Sequence, residues 1–120
     1  MTGSQSLVLI NFFVFHSLYV HRYATNGITG FIVRELGRIA DIPIDEFVVR
    51  NDCACGSTIG PAISAKTGMR VVDAGMPQLS MHSCREVMGI ADLSRGVDFF
   101  RVFYQKFRQL DKSLCCEVTE

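Results

Sequence analysis

Hydrophobic and polar positions along the chain fall into blocks whose period changes. Residues Leu7–Val20 (L-V-L-I-N-F-F-V-F-H-S-L-Y-V) are an almost unbroken apolar run rich in Val, Ile, Phe and Tyr. That composition predicts a buried strand. The run contains Asn11 and His16 and is shorter than the roughly 20 residues that a membrane helix needs. No positive charge precedes it and no small-residue cleavage site follows, so a strand is favoured over a leader or an anchor.

The next block has a helical period. Ile28, Phe31, Ile32, Leu36 and Ile39 recur at three- and four-residue steps, which predicts a helix within Tyr23–Ala40 with that stripe facing the core. Thr25 or Asn26 can cap its start. Gly27, Gly30 and Gly37 lower its intrinsic helicity, so close packing against a neighbour has to compensate. Asp41-Ile42-Pro43 ends it, because a residue before proline avoids the helical region.

Glu46–Arg50 reads as a short strand. In the loop that follows, Gly56 allows a turn other residues disfavour. Ser57 or Thr58 can cap a helix with Pro61 in its first turn and Gly68 as its stop. Val71–Ala74 is the next strand. Strand, helix and strand at this spacing predict a parallel βαβ unit in an α/β fold. Ligands in open α/β sheets gather beyond the carboxyl ends of the strands. The expectation is therefore that Asn51–Thr58 and Gly75–His82 converge on one cleft. The helix start would direct N–H groups there, suited to a carboxylate or an oxyanion. Ser83–Met88 reads as one helical turn. Asp92–Leu110 reads as a long C-terminal helix with a stripe of Val97, Phe100, Tyr104 and Phe107, widened by Phe103 and Leu110.

Composition narrows the class. With 48% hydrophobic and 20% charged residues, the 120-residue chain reads as one globular domain or part of one. Twelve acidic and twelve basic side chains cancel, so charge points neither to nucleic acid nor to an anionic membrane. Arg95, Arg101, Lys106 and Arg108 read as solvated helix charge. The five cysteines include Cys53 and Cys55, one residue apart, and adjacent Cys115 and Cys116. Neither spacing is a C-x-x-C pair, and the thiols read as reduced in a cytoplasmic protein.

The candidate chemistry centres on Arg70–Glu86, where an apolar run meets Gly75 and Pro77 and opens into a polar loop carrying His82. Neutral imidazole serves as a zinc ligand or a proton shuttle. A lone histidine is, on residues alone, more often an ordinary core or surface side chain. Gly60-Pro61 stands where a phosphate loop would carry lysine, which argues against nucleotide binding. Ser57 and Thr58 read as helix caps, since no histidine-based triad accompanies them.

Four motifs change that balance. R-Y-A-T-N at 22–26, V-R-N-D at 49–52, C-G-S-T-I-G-P at 55–61 and G-M-P-Q-L-S-M-H-S at 75–83 closely resemble the C-terminal end of the aspartyl aminopeptidases, the M18-type di-zinc metallopeptidases. The resemblance covers residues 22–120 and implies the C-terminal part of a zinc-peptidase catalytic domain, an α/β/α sandwich. The apolar segment 1–21 lies outside it. His82 matches the family's zinc-binding histidine, and Tyr23 the tyrosine that contacts substrate. Asn51, Asp52, Gly56 and Met81 are candidates for shaping the cleft. The resemblance further implies two Zn2+ per site, removal of an N-terminal Asp or Glu from a peptide, a cytoplasmic location and a homo-oligomer, the dodecamer of the full-length family. It implies neither a nucleic-acid partner nor a membrane.

The family's other ligands, from an H-T-D-S-P motif and further acidic segments, are absent from these 120 residues. His16 stands where the family has a lysine, seven residues before the tyrosine, that meets the substrate's acidic side chain. The resemblance therefore implies that these residues alone are inactive. The alternative is a non-catalytic module packing on full-length subunits through an exposed sheet edge.

Overall fold

A computed structural model of the chain describes residues 13–17, 23–48 and 56–115. Strand β1 (Phe13–Ser17) leads to helix α1 (Gly27–Ala40) and then to strand β2 (Ile44–Val48). Helix α2 (Gly60–Thr67), the two-residue strand β3 (Ala74–Gly75) and the 26-residue helix α3 (Ile90–Cys115) follow. The sheet order is β2-β1-β3. β1 pairs with β2 in parallel, from Phe13 opposite Ile44 to Ser17 opposite Val48. β1 pairs with β3 antiparallel, Val14 facing Gly75 and Phe15 facing Ala74.

The parallel βαβ unit is therefore β1–α1–β2, with α1 as its crossover. The pairing expected between the strands near 46–50 and 71–74 is overturned: they flank β1 on opposite sides and run in opposite directions. β1 takes the place between them. Val71 and Val72 precede β3 without joining the ladder, and Val72 packs on the core instead.

α1 begins at an Asn26 cap. The Asn26 Oδ1 accepts from the N–H groups of Ile28 and Thr29, both at 3.0 Å, and Thr29 Oγ1 accepts from the Asn26 N–H at 3.0 Å. This reciprocal box satisfies donors that the first helical turn leaves open. The helix ends at Asp41, held at φ 54°, and the Ile42 N–H reaches back to the Gly37 carbonyl at 2.9 Å. α2 starts without a side-chain N-cap: the cap position is Ile59, while Thr58 Oγ1 accepts from the Gly60 N–H at 3.3 Å. Gly68, at φ 71°, stops it as glycine does in a left-handed C-cap.

The faces differ from the periodic expectation. α1 buries Thr29, Gly30, Ile32, Val33, Leu36 and Gly37, whereas Ile28, Phe31 and Ile39 are exposed. α3 buries Phe99 and half-buries Val102, Phe103, Phe107, Leu110 and Leu114. Val97, Phe100 and Tyr104 point to solvent. The core is the seam where Ile32, Val33 and Leu36 of α1 meet Phe99 of α3 and Ile42. Removing water from side chains of this size stabilises the fold by about 1.5–3 kcal/mol each. In place of the helical turn expected at 83–88, Leu79 and Val87 pair as an antiparallel bridge.

Candidate functional site

Sheet direction decides what can meet. β1 and β2 end at the same edge, and the chain enters β3 from that edge. Tyr23–Asn26 follows β1, and Asp73 immediately precedes β3. Residues after Gly75 leave from the opposite edge. The single rim expected for the Gly56 turn and His82 is thus not built by neighbouring parallel strand ends.

At the first edge the chain ties itself together through Asp73. Its carboxylate oxygen Oδ2 accepts from the Ala24 N–H at 2.6 Å. Its own N–H donates to Thr25 Oγ1 at 2.9 Å, and Thr25 is buried. A Cβ built on Gly60 would stand 2.8 Å from both Asp73 carboxylate oxygens. The segment carrying Tyr23, the first turn of α2 and the entry to β3 therefore share one carboxylate. The negative group expected from a ligand beside α2 is supplied here by the chain itself. Asp73 matches none of the family's ligand motifs. The available signal was its place at a strand entrance, one position from the apolar pair Val71-Val72.

Tyr23 is half-buried at this edge. Gly56 is exposed, and a Cβ there would meet nothing within 4 Å among the described residues. Asn51 and Asp52 lie outside the described residues.

At the other end, residues 79–87 form a closed loop. Leu79 N–H donates to the Val87 carbonyl at 2.8 Å, and Val87 N–H returns to the Leu79 carbonyl at 3.1 Å. Ser83 N–H donates to the Ser80 carbonyl at 2.9 Å, and Arg85 N–H to Ser83 Oγ at 3.0 Å. Ser80 and His82 both take positive φ, 55° and 70°. Histidine enters this region more readily than most residues, but a non-glycine residue there still costs about 1–2 kcal/mol. The Glu86 carboxylate accepts the His82 N–H and helps hold that conformation. His82 and Met81 are exposed at the tip.

An exposed imidazole with neither hydrogen bond nor ion pair among the described residues fits one position in a metal's ligand set. It does not make a zinc site, since zinc in proteins takes three or four side-chain donors. Among the described residues no group of three His, Cys, Asp or Glu side chains is placed to hold a metal ion. A cavity of about 480 Å³ lies elsewhere. It runs between α1, α3 and residues 69–74, is walled by Ile32, Val33, Phe99, Phe103 and Phe107, and includes none of the expected site residues. Among the described residues no helix is long and apolar enough to cross a membrane.

A parallel βαβ unit capped by a long helix, with a histidine loop leaving the sheet, has the form of part of an α/β metallopeptidase domain. The profile of the aminopeptidase I zinc metalloprotease family, M18, matches residues 13–104, and the chain belongs to that family. The match takes in β1, the middle strand of the sheet. The aspartyl aminopeptidase of Dictyostelium discoideum is 50% identical over 90 residues, covering 75% of this chain and 19% of the relative. Aspartyl aminopeptidase 1 of Schizosaccharomyces pombe is 48% identical over 93 residues, 78% of this chain and 20% of the relative. Among solved structures, a chain of the cryo-EM structure of the Ape4 and Nbr1 complex superposes with a TM-score of 0.83 at 45% identity. That match covers 88% of this chain and 20% of the other. The structure of the S. cerevisiae mApe1 dodecamer gives a TM-score of 0.75 at 30% identity, over 89% of this chain and 23% of the other. The chain spans about a fifth of the length of the curated relatives it matches.

Proposed function

We propose that the chain supplies the C-terminal part of the catalytic domain of an aspartyl aminopeptidase, contributing one zinc ligand, His82, and one substrate contact, Tyr23. The observation that carries the reading is the closed 79–87 loop. It holds an exposed imidazole at a residue of positive φ within the M18 match. The M18 family is one of zinc metalloproteases, and the curated relatives are aspartyl aminopeptidases. Two zinc ions per site, a peptide with an N-terminal Asp or Glu, a cytoplasmic location and assembly into a homo-oligomer complete the reading. The dodecamer of the structural neighbour S. cerevisiae mApe1 supports the last of these.

Zinc held by a full ligand set lowers the pKa of its bound water and polarises the peptide carbonyl. This chain's own share is to present the His82 imidazole and to hold Tyr23 where it can meet substrate. The two leave the sheet at opposite edges, so the reading requires ligands and walls from sequence beyond these 120 residues. Large apolar side chains left exposed on α1, β2 and α3, including Phe31, Phe47 and Phe100, support such a covering. They equally favour the second reading, a non-catalytic module that packs on full-length subunits.

The purified chain, supplied with zinc and an aspartyl or glutamyl arylamide, is expected to show no turnover. A chimera carrying residues 13–115 in place of the matching part of the Dictyostelium enzyme is expected to be active and zinc-dependent. Metal-dependent turnover by the chain alone contradicts the one-ligand reading. A folded but inactive chimera favours the non-catalytic module.

A further inference from the structure

Asp73 is a half-buried acid to which the zinc reading gives no task. Its hydrogen bonds, one through the side chain and one through the backbone N–H, both reach far along the sequence. The carboxylate takes the Ala24 N–H at 2.6 Å across 49 residues of sequence, and the Asp73 N–H reaches Thr25 Oγ1 at 2.9 Å across 48. Thr25 is 4% exposed, so the second bond is shielded from water. The carboxylate also lies flat against Gly60, where any Cβ would stand 2.8 Å from both oxygens.

The Ala24 N–H belongs to the peptide unit that joins Tyr23 to Ala24. Fixing that donor fixes the peptide plane, and with it the root of the Tyr23 side chain. A hydrogen bond to a charged acceptor is stronger than one between neutral groups. The first turn of α2 further favours a negative charge against it. Gly60 leaves room for this contact, so Asp73 and Gly60 act as a matched pair.

We infer that Asp73 is a positioning residue for Tyr23: by bonding Ala24 and Thr25 while seated on Gly60, it sets the Tyr23–Asn26 segment against the start of α2. The functional weight of this placement rests on the reading that Tyr23 meets substrate. The placement itself does not.

Amide hydrogen exchange by NMR on the 120-residue chain tests the inference, with Ala24 read against Leu36 in the core. In Asp73→Ala, exchange at Ala24 is expected to quicken about 10-fold or more relative to Leu36, and the Tyr23 ring resonances to move. Asp73→Asn keeps an oxygen acceptor and is expected to restore most of the protection. Gly60→Ala leaves Asp73 in place but pushes its carboxylate aside, and is expected to reproduce the loss at Ala24. The inference is overturned by equal acceleration at Ala24 and Leu36, which marks a merely structural acid, or by unchanged Ala24 and Tyr23 signals. Should Asp73→Ala not fold, Gly60→Ala decides by the same two readouts. A failed exchange test removes the Asp73 pin and leaves the zinc reading intact. An inactive chimera removes the task of Tyr23 and leaves the pin intact.

Discussion

Gly37 lies on the buried face of α1, where a Cβ would come within 2.2 Å of Ile44 Cγ1 and 3.0 Å of the Ile42 carbonyl oxygen. The helix can lie this close to β2 because a side chain is missing. Alanine is the better helix former by about 1 kcal/mol, yet overpacking costs about 1–3 kcal/mol. Gly37→Ala is therefore expected to lower the thermal midpoint, and a rise would show that Ile44 yields freely. His82 poses the opposite case, a side chain kept where glycine would be more comfortable. Its φ of 70° is held by the Leu79–Val87 bridge and by Glu86. The strain is retained at the residue whose side chain the metal reading needs.

At the scale of elements, the far half of α3 is fastened to the segment before β3 by a two-pronged ion pair. Arg70 Nη1 donates to Asp111 Oδ1 at 2.6 Å and Nη2 to Oδ2 at 2.9 Å. The Arg70 hydrogen bonds hold the Asp111 carboxyl below the ordinary aspartate range, with the charges of Arg70 and Arg108 adding to the effect. An acid depressed in the folded state stabilises above its unfolded pKa, near 3.9, and loses that contribution as pH falls through the lower folded value. The difference in urea midpoint between the native chain and Asp111→Asn should therefore be present at pH 6 and fade on acidification below about pH 4. A difference that persists at pH 2 would assign the effect to packing. The pair is solvent-accessible, so added salt should shrink it too.

The same scale shows what the sequence disclosed. The existence of α1 and α3, the Asn26 cap and the Gly68 stop were readable because capping and periodicity are local. The buried faces were not. Thr29, Gly30 and Gly37 occupy the inner side of α1, and periodicity in apolar residues cannot see them. On α3 two apolar rows compete, and only packing against α1 selects the one through Phe99 and Phe103. The strand partners were misread because β3 is two residues long, and its direction is set by pairing to β1 rather than by composition. His82 is singled out as a candidate by its surrounding motif, and its ligand role is the proposal made above. Asp73 was not legible, since its partners Ala24, Thr25 and Gly60 are distant in sequence.

At the scale of the whole molecule, a small core contrasts with broad apolar exposure. Ile90, Leu93, Val97, Phe100 and Tyr104 follow one another at three- and four-residue steps along the outer side of α3, all exposed. Exposed apolar rows of this kind mark faces that meet other protein. They accord with a chain that spans about a fifth of its curated relatives. The central claim, that His82 is this chain's one contribution to the zinc site, is tested most directly by metal analysis of the chimera carrying residues 13–115. The account predicts two zinc ions per subunit in the parent chimera and loss of at least one on His82→Ala, with the circular dichroism spectrum unchanged. Full zinc occupancy in a folded His82→Ala chimera would contradict it.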